Sequence, residues 1–262
     1  MGNVIVVTSG KGGVGKTTTT ANIGAGLAQE GKQVVVIDTD LGLRNLDVVM
    51  GLENRIVYNL VDVIDGRCRP KQAIIRDKRF PELYLLPSAQ TKDKSAVSPE
   101  QMKKLSEELA EIYDYVILDC PAGIEQGFHN AIAGASQAIV VTTPEVSAIR
   151  DADRIIGLLE TNQIKDCKLI INRLRMDMIK RGDMMSVDDV TEILAIPLLG
   201  IIPDDESVVI GANQGEVVVG GSTKSGIAYS NICKRILGEE IEFLDLNSKK
   251  SVFSKLSTLF TI

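Results

Sequence analysis

Short, almost uninterrupted apolar runs recur along the chain: Val4 to Val7, Val34 to Ile37, Leu83 to Leu86, Tyr115 to Leu118, Ala138 to Val141, Lys168 to Ile171 and Leu198 to Ile202. Runs this short, rich in Val and Ile and without polar residues at alternate positions, are what strands covered on both faces look like. Longer stretches lie between them, such as Thr18 to Glu30, where helical spacing takes over. Strands alternating with helices predict an α/β fold, a mainly parallel β-sheet flanked by helices. In sheets of this kind ligands sit beyond the carboxyl ends of the strands. The polar motifs of this chain fall directly after its apolar runs.

The pattern changes twice near the end. Gly211 to Ser225 is glycine-rich and predicts a loop before a last helix at about Gly226 to Leu237. Residues 1–238 therefore form the expected globular domain, and 239–250 the expected linker, acidic from Glu239 to Asp245 and then Asn247-Ser248-Lys249-Lys250. In 251–262, Val252, Phe253, Leu256, Leu259 and Phe260 recur at helical spacing, with Ser254, Ser257, Thr258 and Thr261 opposite. At helical pitch the apolar side spans an arc of about 120°. With Lys249, Lys250 and Lys255 beside it, this is the composition of a C-terminal amphipathic helix drawn to anionic lipid. The competing expectation is a helix docked on its own domain.

Composition narrows the classes. A chain of 262 residues with 44% hydrophobic and 24% charged residues is an ordinary globular protein. No apolar stretch approaches the roughly 20 residues of a membrane span, so membrane contact is expected to be peripheral. The net charge of -6 argues against a general affinity for nucleic acid, which needs clustered Lys and Arg. Cys68, Cys120, Cys167 and Cys233 are scattered without a Cys-x-x-Cys pair, so neither a zinc site nor a disulfide framework is indicated, and reduced thiols in a cytosol are expected. The first residues run straight into the first apolar run, so no secretory leader is expected. Val6 stands where a myristoylation signal after Met1-Gly2 requires Ser or Thr.

The sharpest motif is Gly10-Lys11-Gly12-Gly13-Val14-Gly15-Lys16-Thr17, followed by Thr18, between the first strand and the first helix. It fits the phosphate-loop pattern G-x4-G-K-[ST] in the context that pattern requires. Glycines let the backbone curl so that its N–H groups face phosphate oxygens, and the helix N-terminus adds a favourable dipole. Lys16 is placed to neutralise the β- and γ-phosphates of ATP, and Thr17 to offer its hydroxyl to Mg²⁺. Asp38 and Asp40 close the second strand, facing the same crevice and suited to metal and water. Asp119 ends the run Tyr115 to Leu118, the Walker B pattern that places one carboxylate beside magnesium.

With its extra lysine, Lys11, the stretch Val6 to Thr19 resembles the deviant Walker A family of P-loop NTPases, which includes ParA-type partition proteins, MinD-type division regulators and the nitrogenase iron protein. In that family the extra lysine reaches the partner's phosphates across a nucleotide-sandwiched homodimer, as an arginine finger does. The resemblance further implies that Asp40 orients the attacking water and Asp38 meets Mg²⁺ through its hydration shell. It implies that Gly123, in a second switch at Cys120 to Glu125, donates its N–H to the γ-phosphate, and that Asn172, Pro203 and Asp205 contact adenine. Adenine is favoured also by the absence of an Asn-Lys-x-Asp motif.

Further stretches, Asp40 to Asp47, Leu86 to Thr91, Pro144 to Ser147 and Arg150 to Arg154, are similar to the MinD branch of the family. That branch implies an ATPase that dimerises on the inner face of a bacterial plasma membrane, moves between it and the cytoplasm, and recruits the division inhibitor MinC to place the septum. It also implies a topological regulator such as MinE or a DivIVA-linked protein. Asn45 and the Arg150 to Asp153 stretch are expected near the partner surface. The alternatives are a ParA-like DNA-partition ATPase, which needs a basic surface, and a flagellar-number ATPase, which usually extends before the phosphate loop. An iron-sulfur carrier needs a companion for Cys120, and a nucleotide-gated scaffold would hydrolyse nothing.

Overall fold

A computed structural model of the chain describes residues 1–90 and 96–246. In chain order the elements are β1 (Asn3–Thr8), α1 (Lys16–Gln29), β2 (Val34–Asp38), α2 (Leu46–Val49), a 3-10 turn (Glu53–Arg55), α3 (Leu60–Ile64), α4 (Pro70–Ala73), β3 (Ile75–Arg76) and β4 (Leu83–Leu86). They continue with α5 (Pro99–Ala110), β5 (Tyr115–Asp119), α6 (Gln126–Ile132), β6 (Gln137–Thr142), α7 (Val146–Thr161), β7 (Asp166–Leu174), α8 (Met176–Arg181), α9 (Val187–Leu194), β8 (Leu198–Pro203), α10 (Glu206–Gln214) and α11 (Lys224–Ile236).

The strands form one eight-stranded sheet in the order β3-β4-β2-β5-β1-β6-β7-β8, parallel throughout except for the β3–β4 pair. From β1 the chain winds to one side through β2, whereas β6, β7 and β8 build the other side. The carboxyl end of β1 is therefore where the winding reverses, the place where such sheets leave a crevice. The β2–β5 register sets Asp38 directly beside Asp119, and the β1–β5 register sets Val7 beside Asp119.

Alternation along each strand explains why the apolar runs are continuous. Val4 and Val6 face one core, shared with α5, α6, α7 and α9, while Ile5 and Val7 face a second core, shared with α1 and α11. A strand between two helical layers has no solvent side to leave polar. The helices begin where short polar side chains can cap them. Ser98 accepts from the Gln101 N–H at 3.3 Å while Gln101 returns the bond to the Ser98 N–H at 2.9 Å, a capping box with Pro99 at the first position. Asn59 with Asp62 and Ser186 with Asp189 repeat it at α3 and α9.

Several boundaries differ from the sequence expectation. The first helix starts at Lys16 rather than Thr18, because Gly15, in the left-handed region, serves as its N-cap. Gly211 to Gln214, expected in a loop, belongs to α10; glycine lowers helix propensity by only about 1 kcal/mol, which the surrounding packing overrides. The two-residue β3 had no sequence signal, and β7 runs on past Asn172 to Leu174 through an irregularity, with Arg173 at φ 55. The segment 239–246, expected as linker, has no regular structure but is held by Arg235, whose guanidinium donates to the carbonyls of Leu199, Ile241 and Glu242 and stacks 4.3 Å from the Phe243 ring centroid. The rest of the expected linker and the whole apolar tail, with Val252, Phe253, Leu256, Leu259 and Phe260, lie outside the described residues. Among the described residues no helix is long and apolar enough to cross a membrane. All four cysteines are free and buried.

Candidate functional site

The loop from Gly10 to Gly15 joins β1 to α1 at the sheet's centre. The Ser9 hydroxyl donates to the Lys11 carbonyl at 2.8 Å, tightening the first turn. Gly15 takes φ 97, and a Cβ there would stand 2.3 Å from the Asn172 side-chain nitrogen. That nitrogen donates to the Val14 carbonyl at 2.8 Å, so Asn172 braces the loop from below. Gly15 caps α1 without a side chain, leaving the first N–H groups of this 14-residue helix without an intrahelical partner. Such a helix mouth is an anion site.

Lys16 is 8% exposed and makes no ion pair among the described residues. Its charge reaches Asp119 without a direct ion pair; a buried ammonium held that loosely is costly, and a polyphosphate in the cradle of glycines would satisfy it. Beside it, the Thr17 hydroxyl is hydrogen-bonded to Asp119, and the Thr20 hydroxyl donates to Asp119 Oδ1 at 3.1 Å. Asp38 accepts three backbone N–H groups from the loop that follows β2, those of Asp40 at 2.9 Å, Asn45 at 3.1 Å and Leu46 at 3.2 Å. Burial, and then the neighbouring Asp119 charge, push the Asp38 carboxyl up to about 7. Burial also raises Asp119 to about 6, against the pull of Thr17 and Lys16. Two adjacent buried acids that resist ionisation fit a hard divalent cation, whose charge reverses that resistance. Among the described residues no group of three or more His, Cys, Asp or Glu could hold a metal. The donor set here is one hydroxyl and two carboxylates, the few protein ligands Mg²⁺ takes when phosphates and water complete its shell.

Asp40, half-buried, stands at the rim of the same crevice, with its N–H on Asp38. Gly123, at φ 91, turns the chain after β5. On the far side of the phosphate loop lies a cavity of about 190 Å³ lined by Gly15, Thr18, Asn172, Arg173, Pro203 and Asp205, among others. All three residues expected to contact a base thus meet around one opening. Asp205 also caps α10: it accepts the N–H of Ser207 at 2.9 Å and of Ser225 at 3.4 Å. Although burial raises its pKa, these bonds leave the carboxyl below its ordinary value.

Lys11 stands apart from the other loop residues. Its ammonium is 42% exposed and pairs within its own chain, 3.1 Å from Glu145 Oε2 and 3.1 Å from Ser147 Oγ, at the start of α7. Neither partner was legible from the sequence, since nothing in the spacing of Glu145 and Ser147 points across 134 residues to a glycine loop. Thr20 was missed for a different reason: a threonine within a helix looks like a packing residue until the strand bearing Asp119 is laid against it. Of the stretch expected near a partner surface, Arg150 and Asp153 are exposed and Ala152 is buried.

A family model described as an AAA domain matches residues 2–173. The septum site-determining protein MinD of Bacillus subtilis (strain 168) is 55% identical over 266 residues, spanning 100% of this chain and 99% of that protein. The chain belongs to the MinD family. A solved MinC:MinD cell division protein complex from Aquifex aeolicus holds a MinD-family chain that superposes with a TM-score of 0.87 at 46% identity, over 93% of this chain and 99% of that one. The MinD of Pyrococcus horikoshii OT3, solved with Mg-ADP, superposes with a TM-score of 0.82 at 28% identity, over 90% of this chain and 96% of that one.

Proposed function

We propose that this MinD-family chain is a Mg²⁺-dependent ATPase that dimerises on ATP, associates with the inner face of the plasma membrane and recruits MinC to place the division septum. The observation that carries the reading is Lys16, a buried cation with no direct ion pair among the described residues, set in a glycine cradle beside the Thr17–Asp119–Asp38 cluster. The Mg-ADP bound by the Pyrococcus relative and the MinC bound by the Aquifex relative support it.

In this reading a bound Mg²⁺ would supply positive charge to the phosphates. Lys16 would hold the β- and γ-phosphates, the Thr17 hydroxyl and the Asp119 carboxylate would hold the metal, and Asp38 would meet it through its hydration shell. Asp40 orients the attacking water, and the Gly123 N–H meets the γ-phosphate, so that loss of this phosphate frees the second switch. Asn172, Pro203 and Asp205 enclose the adenine. Lys11 leaves Glu145 and Ser147 for the partner's phosphates, supplying positive charge only when two chains meet. Lipid contact falls to Val252, Phe253, Leu256, Leu259 and Phe260, with residues 1–238 as the ATPase unit and 239–250 as the connection. A regulator of the MinE type, or one linked to DivIVA, would stimulate turnover from the partner surface near Asn45 and Arg150 to Asp153.

Two measurements test this. Calorimetry with Mg·ATP should show binding to the wild-type chain and none to Lys16→Ala; undiminished affinity in the variant removes the site assignment. Sedimentation with anionic liposomes should pellet the full chain with ATP but not with ADP, and should fail after truncation at Asn247; pelleting indifferent to the nucleotide removes the membrane cycle.

A further inference from the structure

Two short helices that begin at the nucleotide site end on each other. α2 starts beneath Asp38, which accepts the N–H groups of Asn45 and Leu46, and follows directly on the loop that carries Asp40. α10 starts at Asp205 on the wall of the base cavity. At their far ends the chain turns away at Gly51, φ 64, and at Gly215, φ 69. A Cβ on Gly215 would stand 2.5 Å from Gly51 Cα, and one on Gly51 would stand 2.8 Å from the Gly215 carbonyl oxygen, so backbone lies on backbone with no room for a side chain.

Helix ends present carbonyl groups that have no intrahelical partner, and two such ends brought together repel. Arg79 resolves the conflict. Its Nη2 donates to the Met50 carbonyl at 2.6 Å and its Nη1 to the Gly215 carbonyl at 2.7 Å, one at the end of each helix. The guanidinium is aimed by Asp77, a residue 2% exposed on the turn between β3 and β4. The Asp77 carboxylate accepts from Arg79 Nη2 at 3.1 Å and from the Arg79 backbone N–H at 2.7 Å. A planar fork spans two carbonyls at once; a lysine ammonium is a single point charge on a flexible stem and does not.

We infer that Arg79 is a positioning residue that ties α10 to α2, so that filling of the base cavity governs how the Asp40 loop stands over the reacting phosphate. The first switch then responds to the base as well as to the phosphates. This rests on the reading of the cavity and of Asp40 proposed above. Arg79 touches neither of them and acts through the two helices.

Hydrogen exchange of residues 45–50 in the full chain tests the link, with two ligands compared at saturation. Mg·pyrophosphate fills the phosphate loop and leaves the base cavity empty, whereas Mg·ADP fills both. In the wild type, ADP should slow exchange about tenfold more than pyrophosphate does, within the usual range of coupling between sites. In Arg79→Lys, which keeps a positive charge beside Asp77, that ratio should fall below about threefold while ADP affinity by calorimetry stays within about threefold of wild type. A residue that only stabilised the fold would speed exchange in every state alike and leave the ratio unchanged; an unchanged ratio overturns the proposal. Equal protection by the two ligands in the wild type also overturns it, whether or not the variant folds. If the wild type binds neither ligand in calorimetry, the nucleotide reading itself fails and takes the link with it, a result distinct from the other two.

Discussion

Without metal, raising the pH from about 5.5 to about 8 should destabilise this chain, because two buried acids must then ionise side by side. The folded state holds Asp38 at about 7 and Asp119 at about 6, against an ordinary carboxylate value of 3.8. A raised value means the folded chain binds more protons than the unfolded chain between those limits. The stability that this pair allows is therefore full below the unfolded value, falls as the pH rises, and is lost above the folded value. Each proton costs about 1.4 kcal/mol per pH unit, so Asp38 contributes about 2 kcal/mol over this interval and Asp119 a smaller amount. For a chain of this size the melting temperature should drop by roughly 5–10 °C. Asp47, buried and also raised, adds a contribution of the same sign, so the comparison needs controls. Saturating Mg·ADP should erase the part of the drop due to the pair, because the cation favours both ionised forms. Asp119→Asn should shrink the drop without abolishing it, since burial is the larger cause for Asp38 and the Thr17 and Thr20 hydroxyls can serve an amide as well. Differential scanning calorimetry at the two pH values reads the metal-free chain, the Mg·ADP complex and Asp119→Asn. A metal-free chain at least as stable at the higher pH, or a drop that persists undiminished with Mg·ADP, would refute the reasoning.

Lys11→Ala should leave ATP affinity within about threefold, because in the single chain the ammonium pairs with Glu145 and Ser147 in an exposed bond worth at most about 1 kcal/mol; light scattering with ATP and a phosphate-release assay should show dimer and turnover lost. Gly15→Ala places a Cβ against Asn172 at a φ that side chains rarely adopt, so calorimetry should show nucleotide affinity reduced by about tenfold or more, a strain of about 1–3 kcal/mol. Affinity equal to wild type would mean the loop rearranges freely. Arg235→Ala removes three hydrogen bonds and the Phe243 stack and should lower stability by about 1–3 kcal/mol in urea melts; it should also expose the segment 239–246 to limited proteolysis.

The sequence was most legible where one physical demand acted alone. Both faces of each long strand are buried, so the apolar runs marked all seven of those strands, and β3 escaped because a pair of residues carries no period. The phosphate loop was legible because curling a backbone around phosphates needs glycine at fixed places. Pairings set by the tertiary fold left no trace: Thr20 with Asp119, Lys11 with Glu145, Asn172 beneath Val14, and Arg79 between two helix ends. Gly211 was misassigned to a loop because glycine favours turns on average, whereas here it packs against Glu216 and Val218 at a point where a larger residue would not fit.

The weakness of the Lys11 bond bears on how the proposed cycle could be driven. A lysine buried in a strong pair at the start of α7 would cost several kcal/mol to withdraw, and ATP would have to supply that before two chains could meet. Glu145 is 58% exposed, so the pair is screened and easily given up for the charge of a triphosphate. In the proposed cycle the same economy would apply to the tail: five apolar side chains on one short segment would hold a membrane weakly, while two such segments on one dimer would raise avidity by about 10² to 10⁴. A nucleotide that merely tips association of the two chains would then change membrane residence by the whole avidity factor. A strong anchor or a strong internal latch would remove that leverage, because one would hold the single chain on the lipid and the other would keep two chains apart.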